Sequence, residues 1–318
     1  MNHIKTLLRA IFKDRNKLKA VILQRLSRFY KSDEKYLKRL YRHQMGQELN
    51  LDNPQTFSEK LQWLKLYNRK PEYTQMVDKY EAKRYVANII GEEYIIPTLG
   101  VWNKFDDIDF DTLPNQFVLK TTHGGGNTGV VICRDKMTFD KTTAKRKLEK
   151  SLKSDIYTSF REWPYKGVNK RIIAEKYMEV SGQKDLPDYK FFCFNGTPQY
   201  CQVIRDRNSN ETIDFYDMEW NHMPFVGLNP INQNGVGFVA KNGITPVNKP
   251  LELDKMIAIC NKLTKGIPFS RIDMYVIKNK TYFGEITFFP ASGMGCFNPR
   301  EWDFKLGEMI HLSNHISE

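Results

Sequence analysis

The chain has 318 residues, 41% of them hydrophobic and 13% aromatic, and its 49 Lys and Arg outnumber 37 Asp and Glu for a formal charge of +12. That length holds one large domain or two to three lobes around a sizeable core, and the composition excludes a disordered tail or a collagen-like chain. No apolar run approaches the ~18 to 20 residues that cross a bilayer, the longest near the N-terminus being the four residues 20–23, so neither a signal peptide nor a membrane span is expected.

The positive charge is concentrated. Residues 1–42 hold 13 Lys or Arg and three acids (Asp14, Asp33, Glu34), a net +10, which leaves 36 bases against 34 acids in residues 43–318. Within this segment Ile4, Leu7, Leu8, Ile11, Leu18, Ile22, Leu26 and Phe29 recur mostly at three- and four-residue steps, with Lys5, Arg9, Lys13, Lys17 and Arg28 between them. This is the period of an amphipathic helix. It reads either as an anchor on an anionic membrane surface, each base contributing about 1 kcal/mol near the headgroups, or as a helix whose apolar stripe packs on the body. Nucleic acid is not an expected partner, because no reading motif accompanies the charge.

Further along, Thr56 and Glu59 have capping-box spacing ahead of the stripe Phe57, Leu61 and Leu64, which predicts a helix there. A second helix is expected over 78–90, stopping at Gly91. From residue 116 the texture changes to strands and glycine-rich turns, with strands predicted at 117–122, 129–133, 171–177, 189–194, 199–205, 271–277 and 282–288 and helices near 140–154 and 252–265. Strand runs mixed with a few helices argue for an α+β fold. The stretch 204–250, rich in Asn, Gly, Asp and Pro, reads as elaborated loops carrying specificity. Five cysteines without C-x-x-C spacing read as reduced core thiols of a cytoplasmic protein.

Three stretches carry chemistry. In "FVLKTTHGGGNTGVVIC" four glycines (Gly124, Gly125, Gly126, Gly129) lie between β-branched runs, with Lys120 ending the first. Val130 and Val131 stand where a Walker motif needs Lys and Ser/Thr, so a P-loop is excluded. A hairpin flap whose N–H groups close over phosphates, with Lys120 as a point charge beneath, fits better than a plain turn. In "DYKFFCFNG" Lys190 alternates with Tyr189 and Phe191, and a lysine inside so apolar a strand needs a partner, an anionic ligand being one candidate.

The third stretch is "SRIDMYVIKNKTYFGEITFFPASGMG". A three-residue hairpin loop, Lys278, Asn279 and Lys280, sets Asp273 opposite Glu285 and Arg271 opposite Thr287 on one face, with Ile272, Met274, Val276, Ile286 and Phe288 on the other. Carboxylates facing one another repel unless a cation lies between them. Hard oxygen ligands without His or Cys select Mg²⁺ or Mn²⁺, and Mg²⁺ typically takes one or two carboxylates plus substrate phosphates. Arg271 beside them would stabilise charge developing on a phosphoryl group or a tetrahedral oxyanion.

The order of these elements (a Lys strand, a glycine flap, the strand end Glu175, Lys176, Tyr177, Met178, an internal Lys, then R-x-D and E-x-T on paired strands before Pro and Gly-Met) resembles the ATP-grasp superfamily of carboxylate-amine ligases. It most resembles the TupA-like family of teichuronopeptide biosynthesis, found with bacterial surface-polysaccharide genes, over roughly residues 50–310. The resemblance implies two α+β subdomains gripping ATP, preceded by a small α/β lobe and the basic helices, with divisions at 1–50, 51–115, 116–180 and 181–318. It implies that Lys120 and Lys190 contact ATP phosphates, that His123, Gly124, Gly125 and Gly126 lie in the flap, and that the backbone of Glu175, Lys176, Tyr177 and Met178 lines the adenine slot. Asp273 and Glu285 would bind Mg²⁺, and Arg271, with Lys190, would act on the acyl-phosphate or transition state. Thr287 stands where the superfamily usually has Asn, a better metal ligand. The implied substrates are a carboxylate, of a uronic-acid type, and an amine, on a polymeric or lipid-linked glycan at the inner membrane face.

Two other functions compete. Asp107, Asp109 and Asp111 spell D-x-D twice, as a sugar-nucleotide glycosyltransferase would. A non-catalytic ATP-binding protein is the other, and the intact set of Lys120, Lys190, Arg271, Asp273 and Glu285 argues against it. Arg205, Asp206 and Arg207 are candidates to hold an anionic sugar, and Arg300, Trp302 and Asp303 to shape an acceptor pocket. His3, His43, His222, His311 and His315 show no metal spacing.

Overall fold

The computed structural model describes residues 15–126, 128–178, 188–205, 211–229 and 241–313. The apolar positions Ile4, Leu7, Leu8 and Ile11 of the basic segment lie outside them. The described part of that segment forms α1 (Arg15–Arg25) and α2 (Asp33–Met45). Ser32 caps α2 by accepting from the Lys35 N–H, and Gly46 closes it in the left-handed conformation. Tyr36, Leu37, Leu40 and Tyr41 are wholly buried on one face, so α2 packs on the body. Among the described side chains of α1, only Ala20 and Leu23 are buried.

Helix α3 (Phe57–Tyr67) carries the expected capping box, with Thr56 accepting from Glu59 N and the Glu59 carboxylate accepting from Thr56 N. Its Phe57 meets Phe269 edge-on at 4.8 Å and Phe297 at 5.6 Å. Two short helices, α4 (Glu72–Val77) and α5 (Glu81–Ile90), follow, and α5 ends at Gly91 as expected. It begins later than predicted because Asp78 is a cap: its Oδ1 accepts from the N–H groups of Tyr80 and Glu81.

A four-stranded antiparallel sheet comes next, in the order β1 (Thr98–Trp102), β4 (Ile172–Lys176), β2 (Phe117–Thr121), β3 (Val130–Cys133). Helices α6 (Lys141–Leu152) and α7 (Ile156–Phe160) lie between β3 and β4 in the chain. The second sheet has five antiparallel strands, ordered β10 (Lys280–Thr287), β9 (Phe269–Ile277), β5 (Asp188–Phe194), β6 (Thr197–Arg205), β7 (Thr212–Tyr216). Beside it, β8 (Val226–Asn229) pairs with β11 (Cys296–Asn298); α8 (Leu253–Leu263) and α9 (Glu301–Glu308) complete the order. Two antiparallel sheets with helices packed on them make the α+β fold expected from the sequence. The stretch 204–250 is not all loop, because β7 and β8 form there and bury Phe215 and Phe225, stacked at 4.4 Å. Cys133, Cys193, Cys201 and Cys260 are buried free thiols and Cys296 is a half-buried one.

The acidic hairpin corrects the reasoning from sequence while keeping its result. The loop has two residues, Lys278 and Asn279, both left-handed (φ 52° and 57°), and Lys280 pairs with Ile277. Such a turn suits the strands' twist but would put the two acids on opposite faces. A bulge restores them: Phe283 pairs with Met274, Gly284 is extra, and Glu285 then pairs with Asp273, Ile286 with Ile272 and Thr287 with Arg271. Only glycine fits the bulge, since a Cβ there would sit 2.9 Å from the Asp273 carbonyl oxygen. Gly284→Val should therefore destabilise the fold by about 1–3 kcal/mol in chemical denaturation and abolish Mg²⁺-dependent nucleotide binding, whereas Lys278→Gly should leave both close to wild type.

Candidate active site

Strand register assembles the site floor. Glu285 of β10 faces Asp273 of β9, Asp273 faces Lys190 of β5, and Lys190 faces Gln202 of β6, so one row of polar side chains crosses four strands. Two residues along, Tyr275, Asp188, Ile204 and Ile213 make a parallel row. Both rows line one cavity of about 710 Å³, together with Arg271 and Thr287. Its roof is the β2–β3 hairpin, through Lys120, Gly125, Gly126, Thr128 and Val130.

The floor is an ion-pair network. The Lys190 ammonium donates to Asp273 and lies 3.0 Å from Asp188 Oδ2, so the lysine within the apolar strand finds its partners in the protein. Arg271 Nε donates to Asp273 Oδ1 at 2.6 Å, and its Nη2 reaches Asp273 Oδ2 at 2.8 Å, Thr287 Oγ1 at 3.2 Å and Glu285 Oε1 at 3.4 Å. Lys79, at the turn before α5, pairs with Glu285 Oε2 at 3.0 Å and donates to the Gly124 carbonyl at 2.7 Å. Burial works to raise the Glu285 carboxyl, but Lys79, Lys190 and Arg271 outweigh it and hold the group well below the ordinary glutamate value. Burial pushes Asp273, only 1% exposed, above the ordinary aspartate value against the pull of Arg271 and Lys190.

Lys79 is a site residue that sequence reasoning misses. It stands in the mixed-charge run "VDKYEAKRY", which reads as a solvated turn and helix start. What places it is backbone pairing: Lys79 N donates to Thr122 O, which docks the turn against the end of β2. Asp188, Gln202 and Tyr165 also line the cavity without having been singled out.

The expected flap divides by role. Gly125 and Gly126 line the cavity, and Gly126 has φ +57° with open space around it. Gly124 and Gly129 serve packing, since a Cβ at either would meet Thr121 Oγ1 within 2.5 Å. His123 is 2% exposed, with Nε2 3.0 Å from the Ser151 carbonyl, and does not reach the cavity. None of Glu175, Lys176, Tyr177 and Met178 lines it. Glu175 instead pairs with Lys120 and Lys83, each at 2.6 Å.

Other candidates have structural roles. Trp302 stacks on Phe225 at 4.1 Å, Asp303 accepts from Ser58 N and Oγ, and Arg300 donates to Gln47, so none shapes the cavity. Arg205 pairs with Asp214 at 2.8 Å, as does His222 at 3.0 Å; Asp206 and Arg207 lie outside the described residues, as do His3 and His315. Asp107, Asp109 and Asp111 are exposed and away from the cavity, which removes the support for a glycosyltransferase.

The donor chemistry at Asp273 and Glu285 fits a hard divalent cation. Among the described residues no group of three or more His, Cys, Asp or Glu side chains could hold a metal alone. A metal on these two carboxylates would therefore need further oxygens from a ligand, as Mg²⁺ takes from phosphates.

Two sheets closing on a cation-rich cavity with paired carboxylates beneath a glycine hairpin place the protein among the ATP-grasp enzymes, ATP-dependent carbon–nitrogen ligases that work with a divalent metal. Within that class the chain belongs to the TupA-like ATP-grasp family, whose profile matches residues 59–311. Among solved structures, D-alanine–D-alanine ligase from Helicobacter pylori is similar at 14% identity and a TM-score of 0.41, over 80% of this chain and 69% of that one. The corresponding ligase from Bacillus anthracis shares 17% identity (TM-score 0.37, 74% and 59%). The ATP-grasp ligase PsnB shares 9% (TM-score 0.37, 73% and 60%), so the chain spans about six-tenths of the latter two. Comparison with curated proteins gives no match.

The Glu175 network makes a pH prediction. Burial works to raise Glu175, yet Lys120 and Lys83 bring it down to about 2. A depressed carboxyl contributes stability that is present above its unfolded value, about 4.3, and is lost as pH falls toward 2, worth about 3 kcal/mol for two units. Glu175→Gln should thus be less stable than wild type at pH 7 in urea titrations, with the gap closing as pH falls from 4.5 to 2.

Proposed function

We propose that the protein uses ATP to activate a substrate carboxylate as an acyl-phosphate and joins it to an amine. The carboxylate is a uronic-acid-type group of a bacterial surface polysaccharide or of its lipid-linked precursor. The observation that carries the ligase reading is the convergence of Lys79, Lys120, Lys190 and Arg271 with Asp273 and Glu285 on one cavity beneath Gly125 and Gly126. The family supports the glycan substrate.

In the first step a carboxylate oxygen attacks the γ-phosphorus of ATP; that O–P bond forms, the bond to the β–γ bridging oxygen breaks, and ADP leaves. In the second the amine, as its free base, attacks the acyl carbon, the C–N bond forms, the bond from the acyl carbon to the phosphoryl oxygen breaks, and inorganic phosphate leaves with the proton that the nitrogen gives up. Lys79, Lys120 and Lys190 would hold the phosphates, exchanging their present carboxylate partners for phosphoryl oxygens, and Gly125 and Gly126 would offer N–H groups from above. Arg271 would hold the acyl-phosphate and the oxyanion that follows. Asp273 and Glu285, with Thr287 adjoining, would hold Mg²⁺, with Mn²⁺ as the alternative, which supplies charge neutralisation at the transferring phosphoryl group. Catalysis by such residues is positioning and electrostatic stabilisation.

Purified protein with ATP, Mg²⁺, a uronate and a panel of amines should release ADP only when carboxylate and amine are both present. Asp273→Asn combined with Glu285→Gln should lower that rate by at least a hundredfold. ADP release that survives the double substitution would overturn the metal assignment.

The basic segment supports a place at the inner, cytoplasmic membrane face. On α1 and the turn after it Ile22, Leu26 and Phe29 are 47%, 47% and 67% exposed. Two depressions of about 790 and 740 Å³ run beside them, lined by Lys19, Lys31, Lys35, Lys38, Arg39 and Arg42 with no carboxylate in either. Apolar side chains rimmed by bases fit an anionic bilayer surface. No helix among the described residues is long and apolar enough to cross a membrane. The full chain should co-sediment with phosphatidylglycerol-containing vesicles and not with phosphatidylcholine alone. Leu26→Asn with Phe29→Ser, and separately Lys31→Glu with Lys35→Glu, should each release it while nucleotide binding persists. Vesicle binding unchanged in both variants, or absent in wild type, would overturn the membrane reading.

A further inference from the structure

At one wall of the cavity stand residues that the phosphate chemistry leaves unused: Ile156, Ser159, Phe160, Glu162 and Tyr165 on one side, and Phe289, Pro290, Ala291 and Ser292 on the other. Glu162 is 6% exposed. Its Oε1 accepts from Ser292 Oγ at 2.7 Å, and its Oε2 has no hydrogen-bond partner among the described residues. The carboxylates of the cavity floor are ion-paired directly with cations: Asp188 and Asp273 with Lys190, Asp273 also with Arg271, and Glu285 with Lys79. Asp155 is exposed and caps α7 through Thr158. Glu162 is thus the one buried cavity carboxylate, among the described residues, whose hydrogen bonding is only to a neutral hydroxyl.

The setting holds Glu162 in place. Lys65, fully buried behind this wall, donates to Gln62 Oε1 at 2.9 Å and to the Ser292 carbonyl at 2.8 Å, and its charge acts on Glu162 through space with no hydrogen bond between them. Gln62 Nε2 donates to the Gly293 carbonyl at 2.8 Å. These bonds pin the turn after β10, where Ala291 and Ser292 both take left-handed conformations (φ 49° and 54°) that cost non-glycine residues about 1–2 kcal/mol each. Strain kept at a cavity wall and over-determined by buried hydrogen bonds is the pattern of a ligand-positioning segment. Tyr165 also lines the cavity, where burial pushes its hydroxyl well up and the charges of Glu162, Glu285, Arg271 and Asp273 act on it.

A buried carboxylate with one open oxygen, flanked by Phe160, Tyr165 and Phe289, selects a cation on a short or apolar body. Metal is a poor fit, since a single carboxylate faces this part of the cavity. We propose that Glu162 is the ammonium-recognition group of a second subsite, which receives the amine substrate and is positioned by Ser292. This rests on the ligase reading above.

The test uses the full chain, first with Mg²⁺ and the non-hydrolysable ATP analogue AMPPNP, then with glycine, L-alanine, L-glutamate, L-lysine or ethanolamine added at saturating analogue, by calorimetry. At least one amine should bind saturably, and its counterpart lacking nitrogen, such as propionate for L-alanine, should not. Glu162→Gln should weaken the amine at least tenfold and leave AMPPNP affinity within twofold. If that variant does not fold, Ser292→Ala, which frees the carboxylate, should weaken the amine severalfold with nucleotide affinity kept. Equal amine affinity in the folded variant, binding of the counterpart without nitrogen, or no response to any of the five amines would overturn the proposal. Failure of wild type to bind AMPPNP would instead overturn the ligase reading.

Discussion

Two carboxylates, Asp273 and Glu285, are held opposite one another on adjacent strands at the floor of the central cavity, and the site is arranged around that juxtaposition. Facing side chains on an antiparallel pair have Cβ atoms about 4.5–5.5 Å apart, at which two like charges repel by about 3 kcal/mol for an effective dielectric of about 20. The backbone enforces the meeting through the Gly284 bulge, and cations gathered around the pair relieve the repulsion. Arg271 reaches both carboxylates, Lys190 reaches Asp273 from β5, and Lys79 reaches Glu285 from the turn before α5. The three cations come from three separate parts of the chain, which ties the turn before α5 to the second sheet by electrostatics.

The same arrangement explains how the site can be both stable and ready for an anion. Lys79 bridges Glu285 on the floor and the Gly124 carbonyl in the roof, so a single ammonium spans the two sheets at the mouth of the glycine hairpin. In the proposed reaction a phosphate chain would meet cations already gathered there, and Asp273 and Glu285 would be the residues to hold a divalent metal. Lys120 has a separate arrangement. Its ammonium is shared with Glu175, which Lys83 also holds, so its position is fixed from behind while it still lines the cavity.

Reading along one strand succeeded where the chemistry and the periodicity coincide. Alternation in β9 and β10 separates Arg271, Asp273, Glu285 and Thr287 from the apolar Ile272, Met274 and Ile286, and that separation indicated which residues share a face. The loop length did not follow, because a bulge adds one residue and cancels the effect of a shorter turn, and Gly284 is the sole sign of it. Residues set by contacts between distant segments were not legible. Lys79 reaches the site by docking on Thr122, and Glu162 by a hydrogen bond to a residue 130 positions away. His123 and Gly124 adjoin the cavity-lining glycines in sequence but are held by Ser151 and Thr121, which only the packing of α6 against the hairpin reveals.

The basic N-terminal helices are joined to this site, although their composition sets them apart from the nearly neutral body. Asp33, the first residue of α2, is 2.8 Å from both Arg69 Nη2 and Arg161 Nε and accepts from Tyr157 Oη at 3.0 Å. Arg161 also donates to the Ser27 carbonyl at 2.7 Å and lies over the Tyr36 ring at 4.3 Å, while Tyr36 Oη donates to the Ser159 carbonyl at 2.7 Å. Residues 157–161 are the segment that leads into Glu162 at the cavity wall. One carboxylate therefore couples the surface proposed to meet a membrane to the wall proposed to receive the amine. Leu26 and Phe29, in the turn after α1, are exposed, while α2 is committed to the body by its four wholly buried side chains. Packing therefore holds for α2, whereas the exposed bases and apolar side chains of α1 and its turn are what the proposed membrane contact rests on.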